Sequence, residues 1–220
     1  MDELDELLER NRHWAESVKL GDPEFFRQLS QQQNPRYLWI GCSDSRVPAN
    51  QILGLRPGEI FVHRNVANVV VHADLNCLSV LQFAIDVLKV EHIMLVGHYG
   101  CGGVRAVLDG ARLGLVDNWL RHVGDVLQKH RDVFGGIDTA SMQHARLCEL
   151  NVIEQVVNIC QTTIVQDAWE RGQKLAVHGL VYSLFDGRLR DLGITTTQHG
   201  ALADSYARAL ARLGAARGAG

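Results

Sequence analysis

The sequence lacks any apolar run that approaches the roughly 18 residues needed to cross a membrane. Its first eleven residues, MDELDELLERN, are acidic and polar, whereas a secretory leader is basic and then apolar. The net charge is −3 and the basic residues are scattered, so no nucleic-acid or membrane partner is indicated. We therefore expect a cytoplasmic protein that binds neither.

The sequence also lacks an even set of cysteines. An odd number in a reducing compartment argues against a disulfide framework and favours free thiols or metal ligands. No internal repeat or low-complexity linker is visible, and a chain of 220 residues buries roughly 70% of its unfolded surface without disulfides. We therefore predict a single domain. The five cysteines are Cys42, Cys77, Cys101, Cys148 and Cys160.

Short apolar runs alternate with helical periodicity, which predicts an α/β fold. We expect a mainly parallel central sheet of about four parallel strands plus one antiparallel edge strand, flanked by helices. The domain, residues 1–220, would comprise an N-terminal helical arm (1–31), a catalytic core (36–192) and a C-terminal helix with a frayed tail (193–220). The predicted strands are 37–40, 60–64, 92–96, 175–182 and 188–192. The predicted helices are 2–20, 22–31, 76–88, 102–109, 116–130, 139–160, 163–171 and 202–213.

Metal-ligand side chains follow two of these strands. Cys42 and Asp44 follow the first strand, and His98 and Cys101 follow the third within a glycine-rich loop. The carboxyl ends of parallel strands meet at one edge of a sheet, so the four side chains are expected to converge. Two thiolates, an imidazole and a carboxylate suit zinc. The other three cysteines lie in predicted helices and are interpreted as small hydrophobic residues.

Arg46 decides whether such a site is closed or catalytic. Asp44 is either a fourth metal ligand or is held away from the metal by Arg46, which leaves a position for water. Zinc would then lower the pKa of that water towards 7 or so. Because two thiolates offset the charge of the ion, we predict activity that rises into mildly alkaline pH.

Two motifs, Cys42-Ser43-Asp44-Ser45-Arg46 and Gly97-His98-Tyr99-Gly100-Cys101-Gly102-Gly103, resemble those of the β-class carbonic anhydrases of the bacterial type. The similarity extends from about Leu38 to Asp191. The resemblance implies reversible hydration of CO2 to bicarbonate and a proton by attack of zinc-bound hydroxide. It also implies one zinc ion per subunit on Cys42, His98 and Cys101, with Asp44 either as fourth ligand or paired with Arg46.

The resemblance further implies a substrate pocket and an oligomer. Gln33, Phe61, Val66 and Gly102 would line the CO2 pocket, some of them reaching it across a dimer interface. Homodimers or homotetramers are expected. The N-terminal helices would extend onto a partner subunit, although packing on their own sheet is an equal alternative.

One subset of that family has a second, regulatory bicarbonate site. Trp39, Arg64 and Tyr182 stand at matching places, which implies that bicarbonate switches Asp44 on and off the zinc. Alternatively, Trp39 is a core residue and Arg64 pairs with a local carboxylate. Among the histidines, His63 is predicted to be buried and hydrogen-bonded, and His144 has no partner pattern.

Two other functions remain open at this point. Some relatives hydrolyse CS2 or COS at the same zinc, and the ligand set does not separate these substrates from CO2. A non-catalytic zinc–thiolate redox sensor is the other alternative, in which oxidation of Cys42 or Cys101 ejects the metal.

Overall fold

The computed structural model describes residues 2–31, 34–134, 136–137 and 139–215. The chain divides into two compact units, Met1–Asn34 and Pro35–Gly220. The first is helical, with α1 at Glu3–Gly21 and α2 at Phe25–Gln31. The sheet and its flanking helices belong to the second. No helix in the described part of the chain is long and apolar enough to cross a bilayer.

A five-stranded sheet forms the centre of the second unit, in the order β2-β1-β3-β4-β5. The first four strands in that order are parallel, and β5 pairs antiparallel with β4. The prediction of four parallel strands and one antiparallel edge strand is therefore confirmed. The strands are β1 (Tyr37–Cys42), β2 (Ile60–Asn65), β3 (His92–His98), β4 (Ala176–Tyr182) and β5 (Leu189–Thr196).

Helices connect the strands and cover the sheet. Most begin within two residues of the predicted positions. The short α3, after the first strand, and the short α7, after α6, are absent from the prediction. The helices of this unit are α3 (Ala49–Leu53), α4 (Leu75–Gln82), α5 (Gly102–Leu108), α6 (Val116–Lys129), α7 (Arg131–Phe134), α8 (Ala140–Cys160), α9 (Thr163–Glu170) and α10 (Leu202–Ala215).

The two faces of the sheet are packed differently. The larger core lies on the face covered by α4 to α6 and α8 to α10, and α8 buries more than half of its residues there. The opposite face carries a smaller cluster around Trp39, Met94 and Tyr182. Partly buried side chains of α3 and the adjoining loops complete it.

One predicted helix, 76–88, is interrupted. The α-helix ends at Gln82, and Phe83–Val87 forms a π-helical turn in which the N–H of Leu88 bonds to the oxygen of Phe83. Lys89 then adopts a positive φ of 56°, which leads the chain into β3. The last five residues of the predicted tail, 216–220, lie outside the described residues.

The strand order places a crevice between β1 and β3. The connection after β1 leads to β2 on one side, and the connection after β3 leads to β4 on the other side. The two connections therefore diverge at the carboxyl ends of β1 and β3. Ligands of open α/β sheets bind at such a point. Cys42 is the last residue of β1 and His98 the last of β3, so both predicted motifs lie at this edge.

Candidate metal centre

Three metal-ligand side chains converge at the carboxyl edge of the sheet. Cys42 Sγ and Cys101 Sγ are 3.7 Å apart, and both cysteines are free thiols. His98 is 1% exposed, and its ligand nitrogen lies within 4.8 Å of both sulfurs. The structure therefore brings together the two thiols and the imidazole predicted from the two motifs.

The orientation of His98 matches that of a metal ligand. Its Nδ1 lies 3.1 Å from the carbonyl oxygen of Tyr99, to which it donates as an N–H. This contact leaves Nε2 as the nitrogen with a free lone pair, and Nε2 is buried with no hydrogen-bond partner in the described residues. Buried polar atoms are rarely left unpaired, so the orphaned nitrogen fits a bound cation.

The two thiols also fit a cation. The hydrogen bond from the Cys101 thiol lowers the pKa of Cys42 to about 4, with support from His98 and against the effect of burial. The same hydrogen bond, together with burial, raises the pKa of Cys101 far above its ordinary value. Two neighbouring buried thiols do not both ionise unless a positive charge lies between them, and zinc supplies that charge.

Backbone N–H groups stabilise the Cys42 thiolate. The amides of Asp44 and Ala67 point at Cys42 Sγ from 3.4 and 3.3 Å. Ala67 reaches this position with a φ of 63°, a left-handed conformation unusual for a residue other than glycine. The side chain of Asn151 on α8 fixes the same turn by donating to the Ala67 carbonyl at 2.9 Å.

Asp44 lies beside the three ligands and is paired with Arg46. Its Oδ1 accepts a hydrogen bond from the Arg46 guanidinium (Nη2) at 3.4 Å, and its Oδ2 accepts one from the N–H of Gly102 at 3.4 Å. Oδ2 is also 3.9 Å from His98 Nε2. Asp44 is thus held at the rim, with only one oxygen on Arg46, and it is not part of the Cys–His–Cys group.

The glycine-rich loop is shaped by two specific requirements. Gly100 has a φ of 76°, which glycine adopts without strain. A Cβ on Gly97 would lie 2.6 Å from Val152 Cγ2 of α8, so only glycine allows this close approach. His144, which has no recognisable pattern in the sequence, fixes the loop through a 2.9 Å contact with the Cys101 carbonyl.

The residues predicted for the substrate pocket are not all brought to the metal centre. Val66 is 39% exposed and precedes Ala67, and Gly102 contacts Asp44, so these two border the site. Phe61 lies at the other end of β2, next to Phe83, with ring centroids 5.9 Å apart. Gln33 lies outside the described residues.

The three residues predicted for the regulatory site lie on the smaller face of the sheet. Trp39 and Tyr182 share its buried cluster, and Trp39 Nε1 is buried without a hydrogen-bond partner in the described residues. Arg64 donates to the carbonyls of Ser45 and Val47 at 2.7 and 3.0 Å. In the described residues Arg64 therefore binds backbone carbonyls rather than a carboxylate, whereas Trp39 is a core residue at 1% exposed, as the alternative proposed.

Arg64 borders a cavity of about 290 Å³. The loop that carries Asp44 and Arg46 forms much of its wall, through Ser45, Arg46 and Val47. Arg64 therefore lines this cavity and is also hydrogen-bonded to the backbone of the loop that borders the metal centre.

Comparison with known proteins supports this interpretation of the site. The carbonic anhydrase family model matches residues 37–189. A carbonic anhydrase of Emericella nidulans is 49% identical over 190 residues, which cover 86% of this chain and 83% of that protein. The structure resembles a Coccomyxa β-carbonic anhydrase in complex with acetazolamide, with TM-score 0.85, 40% identity and 92% of each chain covered. It also resembles a tetrameric β-carbonic anhydrase of Sordaria macrospora, with TM-score 0.82, 37% identity, and coverage of 89% of this chain and 100% of that one.

Proposed function

This chain belongs to the β-class carbonic anhydrases, zinc enzymes that interconvert carbon dioxide and bicarbonate, and we propose that Cys42, His98 and Cys101 hold its zinc ion. The observation that carries this assignment is the buried His98 Nε2, which has no hydrogen-bond partner among the described residues and lies beside two sulfurs 3.7 Å apart. When bound, zinc supplies a Lewis acid that lowers the pKa of water from about 16 to about 7 and so provides hydroxide at neutral pH.

Asp44 is assigned the task of orienting the attacking oxygen. Its Oδ2 lies 3.9 Å from His98 Nε2 and therefore close to the reacting atoms. Arg46 and the Gly102 N–H hold the carboxylate in position, so it can accept a hydrogen bond from the nucleophile and direct the lone pair of that oxygen at CO2. The two amides on Cys42 keep its thiolate in place during this process.

The CO2 pocket is proposed to be completed by a second subunit. Val66 and Gly102 border the site, whereas Phe61 lies at the far end of β2 from it. Val62, Phe83 and Val87 leave apolar surface exposed on and near this edge strand, and α1 buries none of its residues. A homodimer or homotetramer would cover these surfaces and bring the partner's Phe61 to the pocket.

Sedimentation velocity tests this assembly. A monomer that retains full CO2 hydration would contradict it. Val62→Asp, on the exposed edge strand, is expected to lower the oligomeric state and the activity together.

Arg64 is proposed to act as the bicarbonate-sensitive switch. It holds the loop of Asp44 and Arg46 through two backbone carbonyls. On the same face of the sheet lie Tyr182 and Trp39, whose Nε1 has no hydrogen-bond partner within the described ranges. Bicarbonate bound to Arg64 would accept the guanidinium hydrogen bonds that now go to the two loop carbonyls. The loop would then be released, and Asp44 would move from Arg46 towards the metal. Bicarbonate then favours one arrangement over the other and shifts the population.

Two variants test the switch. Trp39→Phe and Arg64→Ala should reduce bicarbonate inhibition of CO2 hydration and change its pH profile, with zinc content unchanged. If both variants show the bicarbonate sensitivity of the wild type, the switch is wrong.

Stopped-flow CO2 hydration together with zinc analysis tests the function itself. We expect CO2 hydration that rises into mildly alkaline pH, and a Cys101→Ser variant that loses both zinc and activity. Zinc-loaded protein that hydrates no CO2 but hydrolyses CS2 or COS would favour the sulfur substrates. Zinc-loaded protein inert towards all three substrates would favour the redox sensor. The cytoplasmic location stays a prediction.

A further inference from the structure

A second group of metal-ligand side chains lies away from the catalytic edge of the sheet. His63 on β2, Asp74 before α4 and Cys77 in the first turn of α4 place their ligand atoms within 4.8 Å of one another, as Cys42, His98 and Cys101 do. We propose that this second cluster (His63, Asp74 and Cys77) binds a second divalent transition-metal ion, for which zinc is the best match.

Two regular elements build the second cluster. Side chains alternate along β2, so His63 lies on the opposite face from Arg64 and faces the larger core. Asp74 is the N-cap of α4, where its Oδ1 accepts the N–H of Asn76 at 3.1 Å. Cys77 follows three residues later, one helical turn from the cap, which places its sulfur beside the Asp74 carboxylate.

Hydrogen bonding leaves ligand atoms available in this cluster. His63 is 6% exposed, and its one side-chain hydrogen bond in the described residues is long, with the Asn65 amide donating to Nε2 at 3.4 Å. Asp74 Oδ2 makes no hydrogen bond in the described part of the chain. The imidazole has only this long contact in the described residues, and the partly exposed carboxylate keeps one oxygen free of protein hydrogen bonds, so both can offer lone pairs to a cation.

The donor set selects the kind of ion. One thiol, one imidazole and one carboxylate suit zinc or cobalt, whereas magnesium and calcium prefer oxygen ligands alone. Burial lowers the pKa of His63, which favours the neutral ring that binds metal. Asp74 is only half-buried, so an ion would enter the cluster from solvent on the side of Asp74.

Binding must displace one proton. Burial, followed by the nearby Asp74 carboxylate, raises the pKa of the Cys77 thiol to about 12. The S–H bond therefore breaks as the sulfur–metal bond forms, and the proton passes to solvent. The affinity for the second ion consequently rises with pH.

Cobalt titration of the full-length, zinc-loaded protein tests the proposal. We expect one further equivalent of Co²⁺ to bind, with a thiolate-to-cobalt charge-transfer absorption and release of about one proton. Cys77→Ser should lose this absorption and bind Co²⁺ at least about tenfold more weakly. Cys160→Ser is the matched control, because Cys160 is also fully buried with a thiol pKa raised to about 12 but belongs to no such cluster among the described residues.

His63→Gln provides a second test if Cys77→Ser does not fold. It should keep the catalytic zinc and CO2 hydration while losing the second cobalt ion. The proposal is overturned if the wild type binds no second ion at millimolar Co²⁺, or if Cys77→Ser and His63→Gln bind it as the wild type does. Because the readout is absorption and stoichiometry, its failure leaves the catalytic assignment untouched.

Discussion

The catalytic cluster and the second cluster have similar spacing but different surroundings. Cys42 receives two backbone N–H groups and a thiol hydrogen bond, and its pKa falls to about 4. Cys77 is equally buried but lacks such donors in the described residues, and its pKa rises to about 12. Burial, with the nearby Asp74 carboxylate, keeps the Cys77 thiol protonated until a metal ion displaces the proton, whereas the hydrogen bond from Cys101, supported by His98 and the Asp44 N–H, favours the Cys42 thiolate.

The imidazoles of the two clusters differ in the same way. His98 is fixed by a 3.1 Å contact from Nδ1 to a backbone carbonyl, which directs Nε2 into the site. In the part of the chain that the structure describes, His63 has only a 3.4 Å hydrogen bond from the Asn65 amide. Ligand orientation by such contacts typically changes metal affinity by roughly 10- to 100-fold. The catalytic cluster is therefore expected to fill first and the second cluster only at higher zinc concentration.

Removal of a catalytic ligand should have the largest effect. Cys101→Ser is expected to release the catalytic zinc and to lower kcat/KM for CO2 hydration by about a thousandfold or more, because zinc supplies several kcal/mol of stabilisation. Zinc content and stopped-flow rates measure both effects. Cys160→Ser should match the wild type, and a Cys101→Ser enzyme with normal zinc and rate would refute the assignment.

Asp44→Asn should separate catalysis from metal binding. The amide is nearly isosteric with the carboxylate, but it is neutral and accepts the hydrogen bond from the nucleophile more weakly. We therefore expect kcat to fall by roughly 10²- to 10⁴-fold. Zinc content should stay at the wild-type level, because Asp44 lies outside the Cys–His–Cys group. Loss of zinc from this variant would instead identify Asp44 as an essential ligand.

Excess zinc should raise the free energy of unfolding if the second cluster binds an ion. A ligand that binds only the folded state raises the free energy of unfolding by about 2.7 kcal/mol when its concentration is a hundred times its Kd. Urea unfolding of the wild type should show this gain at high zinc, beyond that of the singly loaded protein. Cys77→Ser should show none, and an equal gain in both proteins would place the extra zinc elsewhere.

Glu154 extends the comparison to a buried carboxylate. Burial raises its pKa, but hydrogen bonds from His130, Lys129 and Tyr206 outweigh burial and lower the pKa to about 2. The folded value lies below the ordinary 4.5, so this stabilisation is present above about pH 4.5 and is lost as the pH falls towards 2.

Glu154→Gln measures that contribution. We expect a loss of about 1–2 kcal/mol in the free energy of unfolding at pH 7, because the charge-assisted hydrogen bonds weaken. Denaturant unfolding at pH 7 and pH 3 should show a smaller difference between wild type and variant at the lower pH. A difference that does not change with pH would rule out the charged form as its source.

The sequence was sufficient to predict the sheet and the convergence of the three candidate ligands. Apolar strands and helical periodicity are local signals, and the two motifs fall where parallel strands end. Cys42, His98 and Cys101 could be placed together on that basis alone. The position of Asp44 between Arg46 and the Gly102 amide could not, because it depends on distances of a few ångströms between two loops.

Other features depended on contacts between segments distant in sequence. His144 supports the Cys101 carbonyl from 43 residues away, and Asn151 fixes the Ala67 turn from 84 residues away. The second cluster joins β2 to the cap of α4, and His63 was predicted only to be buried. The interruption of α4 by a π-helical turn has no local sequence signal that we recognise.

X-ray absorption at the zinc edge tests the central assignment most directly. With one zinc ion per chain, the account predicts about two sulfur neighbours near 2.3 Å and nitrogen or oxygen neighbours near 2.0–2.1 Å. A shell with about one sulfur would place the first zinc in the second cluster. A shell with no sulfur would contradict the assignment of Cys42 and Cys101 altogether.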